Sequence, residues 1–243
     1  MRIKITLSYD GTQYCGWQVQ PEGITVQQVL EDALLRSTGT YSRVTGSGRT
    51  DSGVHAKGQV AHFDTDSTIP PERFYKALNV HLPSNVRVLS SERAPDDFHA
   101  CRDVKKKTYE YSLYLSETEL PLKERYAVRI DEGIDVHKMQ SAAALLIGEH
   151  DFKAFCASGS SAKTTERTLF AVDILQSGRD IKVRVSGNGF LYNMVRIIVG
   201  TLLDVGYGKK TEKDILEMLN EKKRQRGGKT LPAKGLCLIS AEY

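Results

Sequence analysis

Cysteine is scarce in this 243-residue chain: Cys15, Cys101, Cys156 and Cys237 are widely spaced and include no CxxC pair. That spacing argues against a disulfide framework and fits reduced thiols. His99 and Cys101 form the only close His/Cys pair, so a zinc-type site has no second pair of ligands. Long apolar runs are also missing; none approaches the roughly 20 residues of a membrane-spanning helix. The opening MRIKITLSYD alternates like a strand and does not read as a secretory signal. There are no low-complexity segments and no sequence repeats. What remains, with 40% hydrophobic and 26% charged residues, is the composition of an ordinary globular protein. The length allows one large domain or two modest ones.

Charge is present but uneven. The net charge is only +4. Yet Arg102, Lys105, Lys106 and Lys107 crowd one stretch against Asp103, and Lys222, Lys223, Arg224, Arg226, Lys229 and Lys234 crowd another against Glu221. One such run alone reads as a solvated basic face. Two runs, together with eleven tyrosines, point toward a surface that follows a phosphate backbone.

The periodicities alternate between strand and helix. IKITLSY (3–9), GQVAHFDT (58–65) and NVRVLSSERA (85–94) read as strands, and TVQQVLEDALLRST (25–38) as a helix capped by Thr25. PPERFYKALNVHL begins with prolines and reads as a short helix. In the second half, KTYEYSLYL (107–115) is a tyrosine-rich strand with YAVRI as its partner. DVHKMQSAAALLIGEH (135–150) reads as a helix, and RTLFAVDILQSGRDIKVRVSGNG as a hairpin turning at Ser177-Gly178. FLYNMVRIIVGTLLDVGYG (190–208) and EKDILEMLN read as helices before a closing strand, GLCLISAEY. The order predicts an α+β protein with largely antiparallel sheets, divided into residues 1–100 and 101–243.

One segment asks for more than a turn. GSGRTDSGVHAKGQVAHFDT (46–65) sets Gly46, Gly48 and Gly53 around Arg49-Thr50-Asp51. A phosphate-cradling loop is disfavoured: after the GxxxxG spacing comes Val54 where a lysine is needed, and Asp51 stands where a dinucleotide fingerprint needs its third glycine. A plain strand connection with a surface Arg49–Asp51 pair would need fewer glycines. The third reading is catalytic. Glycines let backbone approach a ligand closely and adopt positive φ, and a fixed loop can then present Asp51 as nucleophile or general base. Such a carboxylate must be ionised and aimed, so a cationic partner is expected, from Arg49 or from elsewhere.

The same stretch closely resembles the signature of the TruA family of tRNA pseudouridine synthases. FHACR (98–102), KTYEY (107–111), HDFKAF (150–155), GFLYNMVRIIVGTL (189–202) and PAKGLCL (232–238) continue the match in the family's order over nearly the whole chain. The resemblance implies an RNA isomerase that converts uridine to pseudouridine without metal or organic cofactor. It implies two similar mixed β/α halves whose sheets join, with the active site in a central cleft. The family's catalytic aspartate falls on Asp51, its base-stacking tyrosine on Tyr109, the arginine that pairs with the aspartate on Arg196, and the arginine that helps extrude the nucleotide on Arg49. Read alone, Tyr109 could simply decorate a strand beside Tyr111 and Tyr114, and Arg196 could snorkel from an apolar helix to water. His55 and Gln59 are expected to shape the loop, while His99 and Arg102 line the RNA path. The basic residues of both clusters, Lys105, Lys106, Lys107, Lys222, Lys223, Arg224 and Arg226, are candidates for phosphate contacts. The family acts as a homodimer on the anticodon stem-loop of tRNA, around positions 38–40, and a cytoplasmic enzyme is expected. A binding-only RNA module or tRNA chaperone with the same fold is the competing class; it would have no need of an Asp51–Arg196 pair.

Overall fold

Apolar residues at every second position make the first strand. In β1 (Arg2–Tyr9), Ile3, Ile5, Leu7 and Tyr9 are buried, while the alternate residues are half-exposed. The computed structural model describes residues 1–224 and 227–243, which divide into two units. The first comprises Met1–Lys105 with Cys237–Tyr243, and the second Lys106–Leu236.

In the first unit, α1 (Val26–Thr38) starts where Thr25 accepts a hydrogen bond from Gln28 N, and it stops at Gly39, whose φ is 76°. Its apolar face buries Val26, Leu30, Ala33 and Leu34. The sheet runs β4 (Val86–Arg93), β1, β3 (His55–Asp64) and β10 (Leu236–Glu242), with the two-residue β2 (Thr45–Gly46) also on β3. β1 lies antiparallel to β3, pairing Ile3 with Phe63 and Leu7 with Gln59. β10 pairs with β3 in parallel, Cys237 opposite His55. A proline-led turn opens α2 (Phe74–His81), which buries Phe74 and Leu78.

The second unit carries the order β5 (Lys106–Leu115), β9 (Asp180–Gly187), β8 (Glu166–Ser177) and β7 (Gly148–Asp151). These pairings are antiparallel; the short β6 (Val128–Ile130) adds to β5 in parallel. α3 (Val136–Ala144), α4 (Met194–Gly206) and α5 (Glu212–Glu221) complete the unit. α4 is its core: of its thirteen residues only Arg196 and Asp204 are not buried, as expected for a helix apolar on all sides. Among the described residues no helix is long and apolar enough to cross a membrane.

The α+β class with largely antiparallel sheets agrees with the sequence reading, but three details differ. The division falls at Lys105/Lys106 rather than at residue 100, and the last strand belongs to the first unit because its backbone pairs with β3. The helix expected over 135–150 ends at Ala144, since Gly148 at φ 109° starts β7 instead. The helix expected from 190 begins only at Met194, behind Asn193 in a left-handed conformation.

Candidate active site

The Asp51 loop is held by backbone on several sides. At its start, Ser47 N donates to Val60 O at 2.7 Å, Ser47 Oγ donates to Gln59 Oε1 at 2.6 Å, and Gln59 Nε2 donates to Gly48 O at 3.0 Å. On the side of the GTQYCGW segment, Trp17 N donates to Thr50 O at 3.0 Å, and Gly53 N and Ser52 Oγ both donate to Tyr14 O. Val54 N closes a turn onto Asp51 O at 3.1 Å. The buried Tyr9 hydroxyl shares a 2.8 Å hydrogen bond with Thr50 Oγ1, and burial pushes that phenol's pKa up, so it stays protonated. His55 Nδ1 accepts from Gly11 N at 3.1 Å and tethers the far end.

The glycines follow from this crowding. A Cβ on Gly46 would sit 2.5 Å from the Trp17 ring, and one on Gly16 would sit 2.5 Å from Thr50 O. Gly53 lies at φ 79°, in the left-handed region. The result is a loop whose backbone is fixed on both sides of a half-buried Asp51, with Arg49 exposed beside it. The expectation that His55 and Gln59 shape the loop agrees with these bonds. Sequence reasoning passes over Tyr9, Gly11, Tyr14, Gly16 and Trp17; the two glycines flanking a Tyr-Cys pair are the available signal.

In the second unit, Tyr109 stands on β5 opposite Val185, 7% exposed, its ring edge-on to Phe190 with centroids 5.1 Å apart. Its neighbours are structural. The Tyr111 hydroxyl donates to Pro232 O at 2.6 Å, and the Tyr114 hydroxyl donates to Glu124 Oε1 at 2.5 Å. Beside Tyr109 in sequence, Glu110 accepts from Arg184 Nη2 at 2.7 Å and faces Lys182 Nζ at 3.1 Å, locking β5 to β9. Burial pushes the Glu110 carboxyl up, but those two cations outweigh it and leave its pKa lowered. Arg196 is half-buried on α4; its Nε donates to Leu231 O at 2.6 Å and its Nη1 to Asn193 Oδ1 at 2.5 Å.

Arg102 and Lys105 are exposed, and Lys106 and Lys107 are half-exposed at the start of β5. Beside them, His99 Nδ1 accepts from the backbone N–H groups of Cys101 and Arg102, and its ring lies 5.0 Å from that of His62. Burial, with Arg2 and His99 nearby, lowers the His62 pKa to about 4 and keeps that ring neutral. In the second basic cluster Lys222 pairs with Asp151 at 3.0 Å and Lys223 with Glu221 at 3.3 Å, and Arg224 donates to Thr230 Oγ1 at 3.1 Å. Arg226 lies outside the described residues. Among the described residues no three His, Cys, Asp or Glu side chains gather as metal ligands. A cavity of about 620 Å³ in the first unit, lined by Arg2, Tyr41, Asp64 and Arg93 among others, contains none of the expected site residues.

A sequence model of the family described as tRNA pseudouridine synthase matches residues 5–102 and 142–243. The chain is similar to the tRNA pseudouridine synthase A of Geobacter sp. (strain M21), with 46% identity over 242 residues, covering 99% of this chain and 98% of that one. To the protein of the same name from Brevibacillus brevis (strain 47) it is 44% identical, covering 100% and 99%. Among solved structures, a Cbf5–Nop10–Gar1 complex matches 83% of this chain and 45% of that chain, with a TM-score of 0.38 and 14% identity.

Proposed function

This chain belongs to the tRNA pseudouridine synthase family, and we propose that Asp51 is the carboxylate with which it isomerises uridine to pseudouridine in tRNA. In that reaction the C1′–N1 bond breaks, the base turns, and a C1′–C5 bond forms. The C5 proton leaves and N1 ends protonated, so the change needs no oxidant and no group donor. An aimed, ionised carboxylate serves each route open to it: addition to the pyrimidine, attack at the sugar, or removal of a sugar proton. What carries the proposal is the fixed backbone on both sides of Asp51, with Thr50 O bonded to Trp17 N and Asp51 O to Val54 N. A loop built only to connect two strands has no need of that bracing.

The other roles follow from the chemistry of extrusion. Arg196 is the cation that pairs with Asp51 and keeps it charged. Arg49, exposed on the same loop, takes the phosphate of the extruded nucleotide, a step that costs a few kcal/mol of stacking. Tyr109 offers its ring to the target base. The substrate region is the anticodon stem-loop, around positions 38–40, and the enzyme acts as a cytoplasmic homodimer. Arg102, Lys105, Lys106 and Lys107 supply phosphate contacts.

The test is to map pseudouridine nucleotide by nucleotide on unmodified tRNA transcripts, with EDTA present, for wild type and Asp51→Asn. Wild type is expected to convert anticodon-arm uridines, and the variant none. Conversion by the variant at a rate near wild type would remove Asp51 from the chemistry. If both bound tRNA and neither converted it, the chain would be an RNA-binding relative.

A further inference from the structure

We propose that Asn193 is a positioning residue that aims the Arg196 guanidinium; the role rests on the reading of Arg196 as the partner of the Asp51 carboxylate. Asn193 precedes α4 with φ 59° and ψ 10°. Left-handed backbone is sparsely populated by residues with a side chain, and asparagine is among the few that tolerate it. Only Asn193 and Lys222 adopt positive φ among the described non-glycine residues, and Lys222 ends a helix, where that conformation is common.

An asparagine at a helix start ordinarily gives its amide oxygen to a backbone N–H in the first turn. Asn193 makes no such side-chain cap bond. Its Oδ1 accepts instead from Arg196 Nη1, one helical turn on, at 2.5 Å. The turn itself is closed by backbone: Met194 N donates to Leu191 O at 3.1 Å, and Ile197 N to Asn193 O at 3.0 Å. The side chain is therefore spent on the arginine and not on the helix.

The second restraint comes from 35 residues away, where Leu231 O accepts from Arg196 Nε at 2.6 Å. Bonds to two different nitrogens of one planar group fix its rotation as well as its place. Strained backbone held by its surroundings is a recurrent feature of functional sites. At Asn193 the strained conformation and the arginine contact belong to one residue.

Three variants separate the side chain from the backbone: Asn193→Gly, Asn193→Asp and Arg196→Met, each assayed for kcat and for KM on tRNA transcripts, with Tm recorded. Glycine adopts φ 59° readily, so Asn193→Gly should keep its Tm. It should lose about tenfold in kcat, the worth of one hydrogen bond to a charged group, with KM unchanged. Asn193→Asp keeps an oxygen acceptor and tolerates the same backbone, so it should recover most of the rate. Wild-type kcat in the glycine variant would overturn the proposal, because asparagine would then serve the backbone alone. Equal losses in the glycine and aspartate variants would also overturn it, as would a raised KM at unchanged kcat or a rate loss that only tracks a lowered Tm. Arg196→Met isolates the premise. If it turns over normally, the reading of Arg196 fails; if it is impaired while Asn193→Gly is not, only the role of Asn193 fails.

Discussion

The Asp51 loop and the surroundings of Arg196 reach the same end by opposite means. Around Asp51 the restraints are mostly main chain: Thr50 O, Asp51 O, Gly48 O and Gly53 N are each engaged, and glycines at 16, 46 and 53 admit the close approach or the positive φ. Around Arg196 the backbone from Met194 onward is an ordinary helix, and the bonds to its head group include those to an asparagine side chain and a distant carbonyl. A short side chain such as aspartate has little freedom once its backbone is fixed. A long one such as arginine keeps several rotatable bonds and needs its head group held directly. The loop should therefore be sensitive to added bulk and forgiving of lost hydroxyls, and the arginine site should be the reverse.

The largest effect that tests this contrast is Gly16→Ala. It places a methyl 2.5 Å from Thr50 O at a residue whose φ is 85°. The combined backbone and overpacking cost is about 2–5 kcal/mol, read as a lowered Tm together with loss of turnover. Next is Tyr109: Tyr109→Ala should lose about 1–3 kcal/mol of base stacking, while Tyr109→Phe keeps the ring. A wild-type rate in the phenylalanine variant would show that the hydroxyl relays no proton. Smaller still is Tyr9→Phe, which removes the hydroxyl bonded to Thr50 and should cost about 1 kcal/mol in chemical unfolding, with turnover largely kept. A rate loss as large as that of Gly16→Ala would break the contrast. The smallest effect is on salt dependence. Neutralising Lys105, Lys106 and Lys107 should flatten the slope of tRNA affinity against salt by about one for each phosphate left without its cation. Neutralising Lys222, Lys223 and Arg224 should also lower Tm, through the loss of their bonds to Asp151, Glu221 and Thr230.

Local signals in the sequence carry most of the elements. Thr25 marks the start of α1, Gly178 at φ 58° helps turn the β8–β9 hairpin one residue later than expected, and the alternation of IKITLSY makes β1. What escapes is non-local. Nothing in GLCLISAEY says that Cys237 pairs with His55, so periodicity alone leaves the last strand in the wrong half. Asn193 and Gly148 set helix and strand limits through positive φ, which hydrophobic periodicity does not register. Within the site, the pattern of three glycines around Arg49 and Asp51 is legible because crowding leaves its mark on residue type. The brace from Tyr9, Tyr14 and Trp17 is not, because ordinary core residues supply it. Arg196 stands out as a charge in an apolar run, but its acceptor at Leu231 lies 35 positions away.

The most direct measurement is the single-turnover rate constant of Asp51→Asn, taken together with its tRNA Kd on the same preparation. If the loop exists to aim one carboxylate at the extruded nucleotide, the rate constant should fall by at least about a thousandfold while Kd stays at its wild-type value. A Kd that rises in step with the lost rate would contradict this, and would make Asp51 a binding residue.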